Sequence, residues 1–233
     1  MNPILITGVG QRVGLHLART YISRGQSVIG TYRSRRDSID ELESLGVDLY
    51  RCDFYDAAQV QALIDSVSGK YVQLRAIIHN ASDWLPDSAD HSPEEILRRM
   101  MAVHVAAPYQ INLGLADRLK AGAPSDIVHL GDYVSGRGSK KHIAYAASKA
   151  AQDNLTLSFA TLLAPEVKVN SIAPALVLFN EDDDAAYREK TLQKSLMQRE
   201  GGLDEMQHQV DYLLDSRYVT GRIIHMDGGR HLV

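Results

Sequence analysis

The sequence predicts an α/β fold: a single doubly wound domain with a parallel seven-stranded sheet and helices on both faces. Three observations carry this reading. Short apolar runs alternate with amphipathic helical stretches along the chain, as successive strand, crossover helix and parallel strand require. The first apolar run, Ile4-Leu5-Ile6, passes straight into a glycine-rich turn, Thr7-Gly8-Val9-Gly10-Gln11-Arg12-Val13-Gly14. No repeat, linker or low-complexity stretch divides the 233 residues, which suffice for one substantial core.

Composition narrows the function. With 25 Lys and Arg against 29 Asp and Glu, the formal charge is −4. That balance argues against a large nucleic-acid footprint, which needs clustered cations. The one cysteine, Cys52, cannot form an internal disulfide, and the N-terminus has no charged and then apolar leader pattern. A reducing, cytoplasmic setting is expected. No apolar run approaches the roughly 20 residues that cross a bilayer, so no membrane partner is expected.

Taken in order, the buried first strand and its glycine turn open a helix whose free amides can hold a pyrophosphate. Glycines also serve any plain strand-to-helix turn, so the motif alone does not decide. Val13, Leu17, Ala18, Tyr21 and Ile22 fall at helical spacing, and Gly25 stops the helix. Ser27 to Tyr32 reads as the second strand, followed by Arg33-Ser34-Arg35-Arg36. A dinucleotide fold presents its ribose there; an acidic residue would bind a free 2′-hydroxyl, whereas arginine suits a 2′-phosphate and so favours NADPH over NADH. The alternative is a solvated charge run ahead of a helix at Asp37 to Leu45.

Val47 to Cys52, ending at Asp53, makes the third strand; Ala57 to Val67 makes a helix, and Leu74 to His79 the fourth strand. That strand runs into His79-Asn80-Ala81-Ser82-Asp83-Trp84, small polar residues suited to a crevice where a ligand passes over backbone. Trp84, the only tryptophan, either packs in the core or offers its face to a planar ring. Ser92-Pro93-Glu94-Glu95 has an N-cap, a first-turn proline and a Glu at N3, and starts a long helix predicted to reach Ala121. His104 within it reads simply as a packed or surface residue.

Ile127 to Leu130 is the fifth strand, leading through Gly131-Asp132-Tyr133 and a loop to the helix bearing Tyr145 and Lys149, which are one turn apart and share a face. Lys168 to Ile172 is the sixth strand, ended by Pro174. Residues 176–200 are expected to form a mobile cover over the crevice. Asp182-Asp183-Asp184 has no partners at ligand spacing and reads as a solvated acidic run, so no metal is expected. A helix at Leu203 to Leu214 and a strand at Arg222 to Met226, closed by Asp227-Gly228-Gly229, complete the chain. The cofactor half is placed at about residues 1–125 and the catalytic and substrate half at about 126–233.

In this order the signals resemble the short-chain dehydrogenase/reductase family, a Rossmann-type fold, over essentially the whole chain. The family's TGxxxGxG turn is matched by Thr7-Gly8, Arg12 and Gly14, its adenine-side Asp by Asp53, and its NNAG turn by His79-Asn80-Ala81-Ser82. Its YxxxK is Tyr145 and Lys149, its later Pro-Gly is Pro174-Ala175, and its terminal glycines are Gly228 and Gly229. Three departures are informative: Arg12 replaces the middle glycine, Asp132 stands 13 residues before Tyr145 in place of a Ser, and His104 replaces an Asn. The TGxxxRxG turn, the Tyr-Arg-Ser after strand two and the Asp resemble the pteridine reductase branch, where an aromatic at the position of Trp84 stacks on the pterin.

That resemblance implies NADPH held by Gly8, Gln11, Arg12, Val13, Arg33, Ser34, Asp53, Asn80, Ala81, Lys149 and Pro174. It implies a pterin substrate met by Arg12, Ser82, Trp84, Asp132 and Tyr145, with Tyr145, Lys149 and Asp132 catalytic. The implied reaction is reduction of 7,8-dihydromonapterin, with weaker activity on dihydrofolate and dihydrobiopterin. A cytoplasmic homotetramer, built partly on the helices at 93–121 and 142–163, is also implied.

The chemistry follows from the residue types. An ammonium beside a tyrosine stabilises its phenolate, so Lys149 is expected to make Tyr145 a better acid near neutral pH and to hold the nicotinamide ribose. An ionised Asp132 accepts hydrogen bonds and repels a developing alkoxide, whereas a pterin takes its proton on a ring nitrogen. A carboxyl bonded to Tyr145 can relay that proton. Two alternatives stay open: a carbonyl or enoyl reductase of the same family, which Asp132 argues against, and a catalytically idle NADPH-binding protein.

Overall fold

The computed structural model describes residues 2–233. Its strands are β1 (Ile4–Ile6), β2 (Val28–Tyr32), β3 (Asp48–Arg51), β4 (Ala76–His79), β5 (Ser125–Leu130), β6 (Val167–Pro174) and β7 (Ile223–Met226). They form one sheet in the order β3-β2-β1-β4-β5-β6-β7, with every neighbouring pair parallel. This is the predicted doubly wound, seven-stranded arrangement.

Helices cover both faces because the strand residues alternate between two cores. Ile4, Ile6, Ile78 and Val128 turn to one side, where they meet Leu17 and Tyr21 of α1 (Arg12–Ser23), Ile39 and Leu42 of α2 (Asp37–Ser44) and Val210 of α9 (Gly202–Asp215). Leu5, Ile77 and Ile127 turn to the other, against Leu63 of α3 (Ala57–Lys70), Ile111 of α5 (Ala107–Gly114) and Phe159 of α7 (Ile143–Leu163).

The long helix expected from 93 to 121 is instead broken into three. After α4 (Pro93–Met101) comes a wide π turn, Ala102–Ala106, closed by the Ala107 amide on the Ala102 carbonyl five residues back. Pro108, which has no N–H, sits in the first turn of α5. Leu115 then leaves helical geometry, with ψ 5°, before α6 (Ala116–Ala121). The start behaves as expected: Ser92 accepts from the Glu95 amide at 3.2 Å. Glu95 itself turns away from the cap to Arg98 and Arg99. At the other end of the sheet β6 runs through Pro174, past the expected stop at Ile172, because it pairs with Met226 of β7. A last helix, α8 (Ala185–Leu192), lies in the 176–200 segment. Among the described residues no helix is long and apolar enough to cross a membrane.

One close approach depends on glycine. A Cβ on Gly14, in the first turn of α1, would lie 2.2 Å from the Gly8 carbonyl oxygen and 2.4 Å from Asn80 Nδ2. A Cβ on Gly69, in α3, would meet nothing within 4 Å. Gly14→Ala should therefore destabilise by about 2 kcal/mol or more, as overpacking against backbone does, while Gly69→Ala should stabilise by about 0.5 kcal/mol. Urea unfolding of both variants checks the contrast.

Candidate active site

The site is built where the chain reverses direction across the sheet, between β1 and β4, a position that leaves a crevice beyond the strand ends. The seam is stitched by two residues. Thr7 Oγ1 accepts from the amides of Asn80 and Ala81 at 3.0 and 2.9 Å, and the Asn80 side-chain amide donates to the Thr7 and Gly8 carbonyls, both at 2.9 Å. Gly8 adopts φ 73°, and its amide donates to Thr31 Oγ1 at 3.1 Å. A Cβ there would approach the Ala81 Cα to 2.9 Å.

A groove of about 330 Å³ follows this seam and opens over the start of α1. Gly8, Gln11, Arg12, Val13, Arg33, Ser34, Asp53, Asn80 and Ala81, nine of the residues expected at a cofactor, line it together with Ser82, expected at the substrate. Its form fits an extended dinucleotide: a helix N-terminus for a pyrophosphate, a cationic corner for a ribose phosphate, and glycine where the ligand would lie against backbone. Lys149 and Pro174, the other two expected cofactor residues, lie off the groove; Pro174 is buried in β6 beside β7.

The groove also contains residues the sequence reading passed over. Tyr55 donates from its hydroxyl to Asp83 Oδ2, the same oxygen that pairs with Arg33 Nη1 at 3.3 Å, and the Arg33 guanidinium lies over the Tyr55 ring. Tyr55 stands just past the carboxyl end of β3, so the strand-end rule applied to Asp53 extended to it. Asp83 lay within the quoted Ser-Asp-Trp run without a role.

Beyond the groove stand Tyr145, Asp132 and Lys149, the residues expected to be catalytic. Tyr145, in the first turn of α7, donates its hydroxyl to Asp132 Oδ2 at 2.7 Å, while Asp132 Oδ1 accepts from the Val134 amide at 2.9 Å. Lys149 donates to the Leu130 carbonyl at 2.7 Å and to Gln152 Oε1 at 3.3 Å. This corrects the expected electrostatics. The ammonium addresses a backbone carbonyl, not the phenol oxygen, and burial together with the Asp132 charge raises the Tyr145 pKa well above 10. Burial pushes Lys149 down to about 8, against the opposing charges of Asp132 and Asp153.

His104 proves to be a bridge as well as a packed residue. Fully buried, it faces Ser82 Oγ from Nε2 at 2.7 Å and Ser148 Oγ from Nδ1 at 2.8 Å. Ser148 donates to the Tyr145 carbonyl at 2.7 Å, so the partners assign the proton to His104 Nδ1 and leave Nε2 to accept from Ser82. Burial, then the Lys149 charge, keeps the imidazole neutral. Its ring stands edge-on to Tyr145 at 5.4 Å.

Two expected substrate contacts are engaged elsewhere. Trp84 is 57 % exposed, which rules out the core reading, and it stacks on His142 with ring centroids 4.0 Å apart. Arg12 reaches the 176–200 segment through Asn180 Oδ1 at 2.5 Å and the Leu178 carbonyl at 2.9 Å. Of the acidic run, Asp183 accepts from the Asn180 amide and Asp184 caps α8 through the Tyr187 amide.

Comparison with known proteins agrees with this geometry. A family model described as enoyl-(acyl carrier protein) reductase matches residues 8–231. The chain belongs to the short-chain dehydrogenase/reductase family. It is 50% identical to the dihydromonapterin reductase of Klebsiella pneumoniae and 53% identical to that of Escherichia coli strain SMS-3-5, in each case over 99% of this chain and 97% of the relative. The structure of FolM alternative dihydrofolate reductase 1 from Brucella suis in complex with NADP superposes with a TM-score of 0.88 at 26% identity, covering 100% of this chain and 96% of that one.

Beneath the site two more buried imidazoles, His79 and His129, flank Asn112. Burial lowers His79 to about 4, and burial above all lowers the stacked His129 too, with the Lys149 charge adding to it. As pH falls below the unfolded value of about 6.5, the unfolded chain gains protons that the folded chain refuses, so stability is lost. The urea midpoint should fall between pH 7 and pH 5, and the fall should be shallower in His79→Gln.

Proposed function

We propose that this chain is an NADPH-dependent reductase of 7,8-dihydropterins that acts on dihydromonapterin, with dihydrofolate and dihydrobiopterin as weaker substrates. The observation that carries the reading is the Tyr145 hydroxyl donating to the Asp132 carboxylate at 2.7 Å. The full-length relatives named dihydromonapterin reductase and the NADP-bound structural neighbour support it.

NADPH, when bound, supplies a hydride to C6 of the dihydropterin. Its pyrophosphate would lie against Gly8, Gln11 and Val13 at the start of α1, its 2′-phosphate against Arg33 and Ser34, and its adenine against Asp53. Asn80 and Ala81 would floor its middle, with Lys149 on the nicotinamide ribose and Pro174 at the nicotinamide end. Arg12, Ser82 and Trp84 would hold the pterin. The proton that N5 requires comes from the pair Tyr145 and Asp132. Tyr145 carries the proton as its phenol hydroxyl, and Asp132 Oδ2, which accepts that hydroxyl's hydrogen bond, is placed to pass a replacement proton from solvent to the phenolate. The same carboxylate disfavours a ketone, whose oxygen would gain negative charge beside it. Enoyl reduction, the activity in the family-model description, meets the same obstacle.

Exposed Leu97, Tyr109, Leu113, Leu157 and Leu162 on α4, α5 and α7 support a homotetramer. The net charge of −4 supports a small-molecule partner over a nucleic acid, and the single cysteine supports a cytoplasmic setting. The one sheet supports a single domain divided near residue 125, with 176–200 as its cover.

The test is NADPH oxidation with dihydromonapterin, dihydrobiopterin and dihydrofolate beside a ketone and an enoyl thioester. Dihydromonapterin should turn over fastest. Tyr145→Phe should lower kcat about 10²–10⁴-fold with NADP affinity retained. Turnover of the ketone or thioester alone would replace the reading with a carbonyl or enoyl reductase, and NADPH binding without turnover would make the chain an idle binder.

A further inference from the structure

Three strand ends meet on one carboxylate. Asp83, past β4, accepts at Oδ2 from Tyr55, past β3, and from Arg33, past β2; at Oδ1 it accepts from the Trp84 amide at 2.8 Å. The charged groups around it are Arg33 and, across the Tyr55 ring, Arg99 of α4, whose guanidinium lies 5.3 Å from the ring centroid. Burial would raise the Asp83 pKa, but its hydrogen bonds from Tyr55, the Trp84 amide and Arg33 outweigh that and keep it ionised.

The Arg33 contact is the weak member of the set. At 3.3 Å it engages one terminal nitrogen of a guanidinium whose side chain is 56 % exposed, leaving the rest of the fork toward the groove. A phosphate offers that fork shorter, bidentate, charge-assisted bonds. Its charge also repels the neighbouring carboxylate. Asp83 cannot turn away freely, because its other oxygen holds the backbone of Trp84.

We propose that Asp83 is a positioning residue that transmits occupancy of the 2′-phosphate site to the Trp84 loop, so that the phosphate on Arg33 repositions the Trp84 ring relative to His142. This rests on the nucleotide and pterin sites assigned under Proposed function. It gives the 2′-phosphate, remote from the chemistry, a route to the substrate pocket, and by linkage a ligand on Trp84 would change binding at Arg33 by the same factor as the phosphate changes binding at Trp84.

Trp84 is the only tryptophan, so indole emission reports on this loop alone. The probes are 2′,5′-ADP and 5′-ADP, titrated into the free protein at one fixed pH, with binding measured in parallel by calorimetry. Expected is a saturable emission change with 2′,5′-ADP, its midpoint matching the calorimetric Kd, and none with bound 5′-ADP. Asp83→Asn, which keeps an acceptor for the Trp84 amide, should still bind 2′,5′-ADP but lose the emission change. Arg33→Gln should lose both the change and the preference for 2′,5′-ADP. The same emission change with both nucleotides, or one that persists in Asp83→Asn, overturns the proposal. If wild type prefers 2′,5′-ADP while Trp84 stays silent, the coupling alone fails. If wild type binds the two nucleotides equally, the assignment of Arg33 to a 2′-phosphate fails with it.

Discussion

The structure turns on the hydrogen bonds that Asn80 and Thr7 make across the gap between β1 and β4. Parallel neighbours whose chains continue in opposite directions leave their terminal carbonyls and amides without a sheet partner. Here the Asn80 side chain supplies donors to the Thr7 and Gly8 carbonyls, and Thr7 Oγ1 takes the amides of Asn80 and Ala81. The crevice is thus held open by satisfied backbone, and a ligand can enter it without first displacing the fold's own bonds. Gly8 and Gly14 have no Cβ because the turn they form lies directly against that side chain.

Much of this was legible in the sequence because it rests on local rules. The alternation of apolar runs fixes strands and helices, and strand-end position selects Gly8, Arg33, Asp53 and Asn80 for the groove. Tyr145 and Lys149 share a face through helix geometry alone. What could not be read depends on where side chains point over long sequence distances. Nothing local says that Lys149 addresses the Leu130 carbonyl, that Arg12 reaches Leu178 and Asn180, or that His142 covers Trp84. The break at Ala102–Ala106 leaves one local mark in the sequence, Pro108, whose missing N–H removes one rung of the helical ladder.

That break matters to the site. A π turn carries one extra residue and so shifts the face presented by everything after it. His104 lies inside it, and it spans from Ser82 on the β4 loop to Ser148 on α7. A buried neutral imidazole can serve both hydroxyls because it donates at one nitrogen and accepts at the other, which a protonated ring could not do. The environment that keeps His104 neutral, burial beside the Lys149 ammonium, is therefore a condition for the Ser82 contact as well as a consequence of packing.

The two ends of the sheet differ in how far their charges are paired. At the start of β5, Asp126 is 1% exposed and is held by Arg75, just before β4, and by Lys168 of β6. Removing either partner there would leave a buried charge less fully compensated. At the carboxyl ends the pairing is looser: Arg33 engages Asp83 through one nitrogen, and Lys149 rests on a neutral carbonyl. Such groups are already dehydrated or fixed in direction, so an anion or a hydroxyl arriving in the groove meets donors with unfilled capacity. At the amino ends the buried Asp126 is ion-paired on both sides, whereas at the carboxyl ends Arg33 and Lys149 keep donor capacity toward the groove side.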